Sequence, residues 1–280
     1  MQHTGYLLLV PPLTVSYIPI QDSMKIPFQK YEATGNDFVI IDNRNNDYFF
    51  SINQVKTICD RKFGIGADGL MLIEKDPHQD FNLVYYNSDG SPSLCGNGSR
   101  AAVKMAYTLG IISDHTSFNA YDGLHEADLL PNQIVQLKMN NVKEVKKIGD
   151  DLFINTGSPH LIRLVSDTKN FPVVEEGRKI RYSESFKPSG TNANFIQLLP
   201  NNTIYVRTYE RGVEDETLSC GTGVTAAALA SSFHGYHSPV SIQTLGGTLS
   251  VEFKSSQDGS FTDVYLIGPA KKVFEGILEL

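Results

Sequence analysis

The segment LCGNGSRAA at 94–102 returns, 125 positions later, as SCGTGVTAA at 219–227. Each copy sets a cysteine before a Gly-x-Gly turn and follows it with an alanine-rich run that reads as a buried helix. Glycine lets the backbone turn sharply and approach a ligand. The helix start leaves N–H groups unpaired and carries partial positive charge, which suits an anion such as a carboxylate. The same field favours a thiolate, so Cys95 and Cys220 are expected to have lowered pKa values and to act as acid and base near neutral pH. A lone cysteine beside a helix is ordinarily a small buried hydrophobe. Two in equivalent settings are a different matter, whereas Cys59 lacks the glycines, sits on an apolar helix face and reads as core.

Other blocks repeat in the same order. ATGNDFVI at 33–40 lies against GTNANFIQ at 190–197, and SFNAYDGLHE at 117–126 against SIQTLGGTLS at 241–250. The order implies a duplicated domain; chance likeness between Gly/Ala-rich turns is the alternative. Strands are expected at 38–41, 70–73, 81–86, 133–139, 195–198, 203–209, 240–253 and 262–267, and helices at 53–60, 98–109 and after Cys220. A chain of 280 residues with 41% hydrophobic and 20% charged residues is a globular α/β protein (α+β) of two domains.

The composition excludes several classes. Net charge is -7 and no long Lys/Arg run occurs, which argues against nucleic-acid binding. Three widely spaced cysteines form neither a disulfide framework nor a zinc pattern, and fit a reducing, cytoplasmic setting. The apolar stretch at 7–20 is too short to span a bilayer, so no membrane partner is expected. Residues 1–23 read as a dispensable extension, or as sequence upstream of a start at Met24. Gly64, Gly66 and Gly69 spell GxGxxG, but no strand–helix context surrounds them. Glu214, Asp215 and Glu216 have no His or Cys beside them and read as a solvated loop rather than a metal site.

The motifs GNDF (35–38), GIGADG (64–69), NSDGSPSLCGNGSRAA (87–102), GSPH (157–160), TNANF (191–195), YERGVEDETLSCGTG (209–223) and GG (246–247) together resemble the diaminopimelate epimerase family, from about Met24 to Leu280. The resemblance implies two pseudo-symmetric domains, each a β-sheet or barrel around a central helix, with the site in the cleft between them. Their expected bounds are 24–139 plus 268–280 and 140–267, the last strand returning to the first domain. It also implies inversion of LL-diaminopimelate to the meso form for lysine and peptidoglycan synthesis, without pyridoxal phosphate, metal or any other cofactor, by a homodimer. Cys95 and Cys220 match the acid/base pair. Gly96, Asn97, Gly221 and Thr222 match the donors to the reacting carboxylate, and Asn36, Asn87, Ser158 and Asn192 polar substrate contacts. Glu210 and Arg211 match the groups that hold the distal ammonium and carboxylate; a surface ion pair of Arg211 with Glu214 or Asp215 is the plainer reading of that arginine. Asp89, His160 and Glu216 are expected to support the thiol loops.

The chain departs from the family pattern at Glu32-Ala33, Gly69 and Ser158, and by one extra residue near Glu214-Asp215. Gly69 and Ser158 stand where longer polar side chains are usual. Lost side chains there are expected to leave space and a less exacting pocket, open also to a shorter acidic amino acid such as glutamate. A proline-racemase-like enzyme, a regulatory Cys95–Cys220 disulfide and a non-catalytic binding protein remain as rival readings.

Overall fold

The computed structural model describes residues 24–280, so the expected extension at 1–23 lies outside the described residues. The first half runs β1 (Lys25–Ala33), β2 (Asn36–Asp42), α1 (Ile52–Cys59), β3 (Gly69–Glu74), β4 (Phe81–Asn87), α2 (Gly96–Thr108), β5 (His115–Ala120), β6 (Gly123–Leu129) and β7 (Val135–Lys138). The second runs β8 (Val145–Ile148), β9 (Asp151–Asn155), β10 (Pro159–Leu164), α3 (Val173–Arg181), β11 (Asn192–Leu199), β12 (Thr203–Glu210), β13 (Asp215–Thr217), α4 (Gly221–Ser231), β14 (Val240–Thr244), β15 (Gly247–Ser255) and β16 (Phe261–Gly268). The last strand, β17 (Lys271–Glu279), returns to pair antiparallel with β1.

Strand polarity carries the repeat. Along β1 to β7 the successive pairings are antiparallel, parallel, antiparallel, parallel, antiparallel and antiparallel. Along β9, β10, β11, β12, β14, β15 and β16 the order of polarities is the same. The two series join where β7 pairs with β16. Each series wraps one helix, as a curled sheet must to bury its apolar face. Helix α4 is buried on every side, amid Ile196, Val206, Ile242 and Val251. Helix α2 packs with Phe38, Ile40, Met71 and Phe118. Cys59 is core, among Val55, Ile58 and Leu70.

This topology revises one repeat block. Strand β2 with GNDF is the counterpart of β10 with GSPH, and β3 is the counterpart of β11. The Asn-Phe likeness of GNDF and TNANF misleads, because it aligns neighbouring strands of the same sheet face. The pairs Phe38–Gly69 and His160–Asn192 occupy matching places in the parallel ladders. The blocks at 94–102 and 117–126 hold their alignments.

Candidate active site

Both cysteines are the N-cap residues of their central helices, with near-identical backbone: φ -129°, ψ 119° at Cys95 and φ -117°, ψ 114° at Cys220. The helix starts abut. A Cβ added at Gly96 would lie 3.9 Å from the Gly221 Cα, and one at Gly221 would lie 3.2 Å from the Asn97 Oδ1. The close approach presses on Gly221, where a Cβ would crowd Asn97 and Leu266, while Gly96 has room for one at ordinary contact distance. Asn97 crosses the junction, donating to the Ser219 carbonyl at 3.1 Å and to the Asn36 Oδ1 at 2.5 Å. Ser219 immediately precedes Cys220, so one helix start directly braces the other.

The expected lowering of the thiol pKa values does not occur. Burial pushes Cys95 up to about 11, against the pull of the Gly98 and Asn97 amides and of Arg100. Burial also pushes Cys220 up, with the Glu210 carboxylate adding to it and Thr222 and the Gly223 amide opposing. Neither sulfur makes a conventional N-cap hydrogen bond. The helix field is present, but excluding water from the junction outweighs it. The same burial is what a Cα carbanion needs.

Around Cys220 the side chains form a chain of hydrogen bonds. Thr208 donates to the Asn194 Oδ1 at 2.9 Å, which fixes that amide, and Asn194 Nδ2 donates to the His160 Nδ1 at 3.1 Å. His160 Nδ1 is thereby an acceptor, so Nε2 carries the proton and donates to the Thr222 Oγ1 at 2.9 Å. The Thr222 hydroxyl lies 3.6 Å from the Cys220 sulfur and is left free to donate to it. His160 is fully buried, and burial holds its pKa down to about 3, so it acts as a neutral imidazole.

Around Cys95 the support is of another kind. Arg100, fully buried one turn into α2, donates to the Asn97 Oδ1 and the Thr34 Oγ1, both at 3.0 Å. No carboxylate pairs with it among the described residues, and burial lowers its pKa to about 10. Asp68 accepts from Asn36 Nδ2 at 2.9 Å and binds Arg61 at 2.7 Å. The motif reading passed over both residues. Arg100 had a signal: a cation in the first turns of an alanine-rich helix. Asp68 lay inside the GIGADG stretch, which entered the family resemblance as a motif without a role for its aspartate.

The remaining residues fall as follows. Glu210, on β12, accepts from Thr217 at 3.0 Å; burial raises its pKa and its charge acts on both thiols. Asn192 donates to the Ser158 Oγ at 2.9 Å and accepts from the Arg211 amide at 2.8 Å. Arg211 donates to the Ser189 carbonyl at 3.3 Å and makes no ion pair with Glu214 or Asp215; Glu214 pairs with Arg181 instead. Asn87 donates to Ser91, whose hydroxyl and amide bind Asp89. Glu216 pairs through both oxygens with Arg207, tying β13 to β12 just before Cys220.

The vacancy expected at Gly69 is filled. A Cβ at Gly69 would overlap the Tyr85 ring edge and lie 2.7 Å from the Tyr86 carbonyl oxygen. Ser158 is engaged in holding Asn192. The extra residue near Glu214 is absorbed by a left-handed backbone there, φ 60°.

Paired helix starts carrying thiols, within a duplicated β-wrapped fold, define an isomerase of the epimerase and racemase type. A hydroxyproline epimerase from Agrobacterium vitis shares the fold, with a TM-score of 0.65 at 14% identity, covering 91% of this chain and 93% of that one. So does a phenazine biosynthesis protein of the PhzF family from Bacillus anthracis, TM-score 0.68 at 12% identity, covering 92% of this chain and 100% of that one. The chain belongs to the diaminopimelate epimerase family: the family model described as Diaminopimelate epimerase matches residues 28–143 and 152–273. The diaminopimelate epimerase of Flavobacterium psychrophilum is 48% identical over 251 residues, 88% of this chain and 97% of that protein. That of Aquifex aeolicus is 41% identical over 274 residues, 90% of this chain and 97% of that protein.

Proposed function

We propose that the protein inverts one Cα of LL-2,6-diaminopimelate to give the meso isomer, with Cys95 and Cys220 as acid/base partners on opposite faces of that carbon. The observation that carries this is the meeting of the two cysteine-capped helix starts at Gly96 and Gly221. One thiolate removes the Cα proton and the opposite thiol delivers one. The carboxylate, facing the amides of Gly96, Asn97, Gly221 and Thr222, gains negative charge as the carbanion forms, and those dipoles are already oriented toward it. The raised thiol pKa values make each thiolate a strong base once formed.

Glu210 and Arg211 supply one charge of each sign for a distal ammonium and carboxylate, beside Asn36, Asn87, Ser158 and Asn192. Asp89, His160 and Glu216 act as supporting residues. Proline, with no second charged end, fits this set poorly. Filled space at Gly69 and an engaged Ser158 also weigh against a loosened pocket, so diaminopimelate is preferred over glutamate. The reading places the enzyme in lysine and peptidoglycan precursor synthesis, in the cytoplasm, as a homodimer. Two domains, 24–139 with 268–280 and 140–267, close on the substrate; the separate helix cores and the return of β17 to β1 support that division. No helix among the described residues is long and apolar enough to cross a membrane.

The test is purified protein incubated side by side with LL-diaminopimelate, L-glutamate and L-proline, the products resolved by chiral chromatography. Conversion of diaminopimelate to the meso form, with glutamate and proline unchanged, is expected. Glutamate turned over as fast as diaminopimelate would refute the assigned specificity.

A further inference from the structure

Tyr85 is 94% buried by its 6% exposure, yet its hydroxyl has no hydrogen-bond partner among the described residues. Among the described residues the polar atoms sealed from solvent without a partner are Arg100 Nε and Thr168 Oγ1, and the Tyr85 oxygen is not one of them. What remains exposed of this residue therefore includes its oxygen. Tyr85 shares a face of β4 with Asn87, and that face looks toward α2; Met71 and Gly69 lie opposite the two on β3. The ring lies across Gly69, where any side chain would collide with it. The charges that act on its phenol are those of Cys95, Asp68, Cys59 and Glu210, three of which bound the candidate site.

The duplicated half shows why the hydroxyl is free. Thr208 holds the equivalent place on β12, and its hydroxyl is satisfied internally by Asn194. The residue equivalent to Asn194 is Met71, which offers no acceptor of that kind. With no partner among the described residues the hydroxyl keeps its small exposure, and Tyr85 is long enough to pass Met71 and reach the cleft. Burial holds the phenol well above its ordinary pKa, so it is a neutral donor.

We propose that the Tyr85 hydroxyl is a substrate-binding group, donating a hydrogen bond to a carboxylate oxygen of the bound amino acid, with Gly69 as the gap that seats its ring. The assignment rests on the proposed diaminopimelate reaction. It makes Gly69 and Tyr85 a matched pair, in which ring placement rather than an open pocket sets selectivity.

The test compares full-length wild type with Tyr85→Phe, which keeps the ring and removes only the oxygen. KM for LL-diaminopimelate and the calorimetric Kd for meso-diaminopimelate are expected to rise about tenfold, with kcat changed less than about threefold. Unchanged KM and Kd in Tyr85→Phe would overturn the proposal, since a purely packing role predicts that result. Gly69→Ala, which displaces the ring, should also raise Kd, and adding Tyr85→Phe to it should cost little more. Full additivity of the two would likewise count against it. Wild type that binds diaminopimelate without inverting it would sink the proposed reaction, while the Kd comparison would still decide the role of Tyr85. Wild type that neither binds nor inverts it overturns both.

Discussion

The two halves hold their thiols on matching backbone and support them with unlike chemistry. Beneath Gly98, next to Cys95, lie the Phe38 ring and the Met71 sulfur; beneath Gly223, next to Cys220, lie the His160 ring and the Asn194 amide. The residues are equivalent pair by pair, Phe38 with His160 and Met71 with Asn194. One floor is greasy, the other a relay that ends on a hydroxyl beside the sulfur. Duplication fixed the helix-start geometry, which both thiols need. In the proposed reaction each thiol meets a different face of the substrate carbon, which leaves the residues under each turn free to differ. Arg100 sharpens the contrast: its equivalent in α4 is Thr225, which bonds only back to the Gly221 carbonyl.

The largest effect tests what the halves share. Cys95→Ser and Cys220→Ser should each lower epimerisation by more than about 1,000-fold, because a serine hydroxyl is a far weaker acid and base. Conversion to the meso form, followed chromatographically, checks this; a single variant retaining a tenth of the activity would mean that one thiol is dispensable.

The next breaks the asymmetry. His160→Phe makes the second floor resemble the first and leaves Asn194 and Thr222 without their partner. A loss of roughly 10- to 100-fold in kcat/KM is expected, at about 1–3 kcal/mol for an unpaired buried group. The reverse change, Phe38→His, should gain nothing, since Met71 cannot orient the ring. Equal effects of the two substitutions would erase the distinction drawn between the floors.

Arg100→Met removes the buried cation that fixes Asn97 and favours the Cys95 thiolate. About tenfold lower kcat/KM is expected, with the rising limb of the pH profile moved to higher pH. Smallest is the effect of Glu210 on acidity. With both thiols raised, kcat/KM should climb with pH through neutrality and beyond, as the thiolate fraction grows. Glu210→Gln removes a negative charge that raises both thiols, so its rising limb should move to lower pH even as substrate binding weakens. A profile moved to higher pH would contradict the electrostatic assignment.

Much of this was legible in the chain. The paired Cys-Gly-x-Gly turns announced two helix starts, and local periodicity marked α1, α2, α4 and strands such as β2, β3, β4, β7, β11 and β12, while β1, β5, β6, β8 to β10, β17 and α3 went unread. Three further things were not legible. The thiol pKa depends on burial at a junction between regions 125 positions apart, which outweighs the local helix field. The partner of GNDF was set by parallel strand order, a non-local property that an Asn-Phe likeness concealed. The emptiness expected at Gly69 was a Tyr85 ring brought over from the next strand. In each case a neighbour in space overruled the neighbours in sequence.

Incubation of the enzyme with LL-diaminopimelate in heavy water probes most directly the placement of two sulfurs about one carbon. A solvent-equilibrated thiol opposite the base predicts deuterium at the inverted Cα of every meso molecule from the first turnover, and none at the distal Cα. Meso product that retains the original hydrogen at the inverted carbon in early turnovers would mean that a single group carries the proton across, and would contradict the two-thiol account.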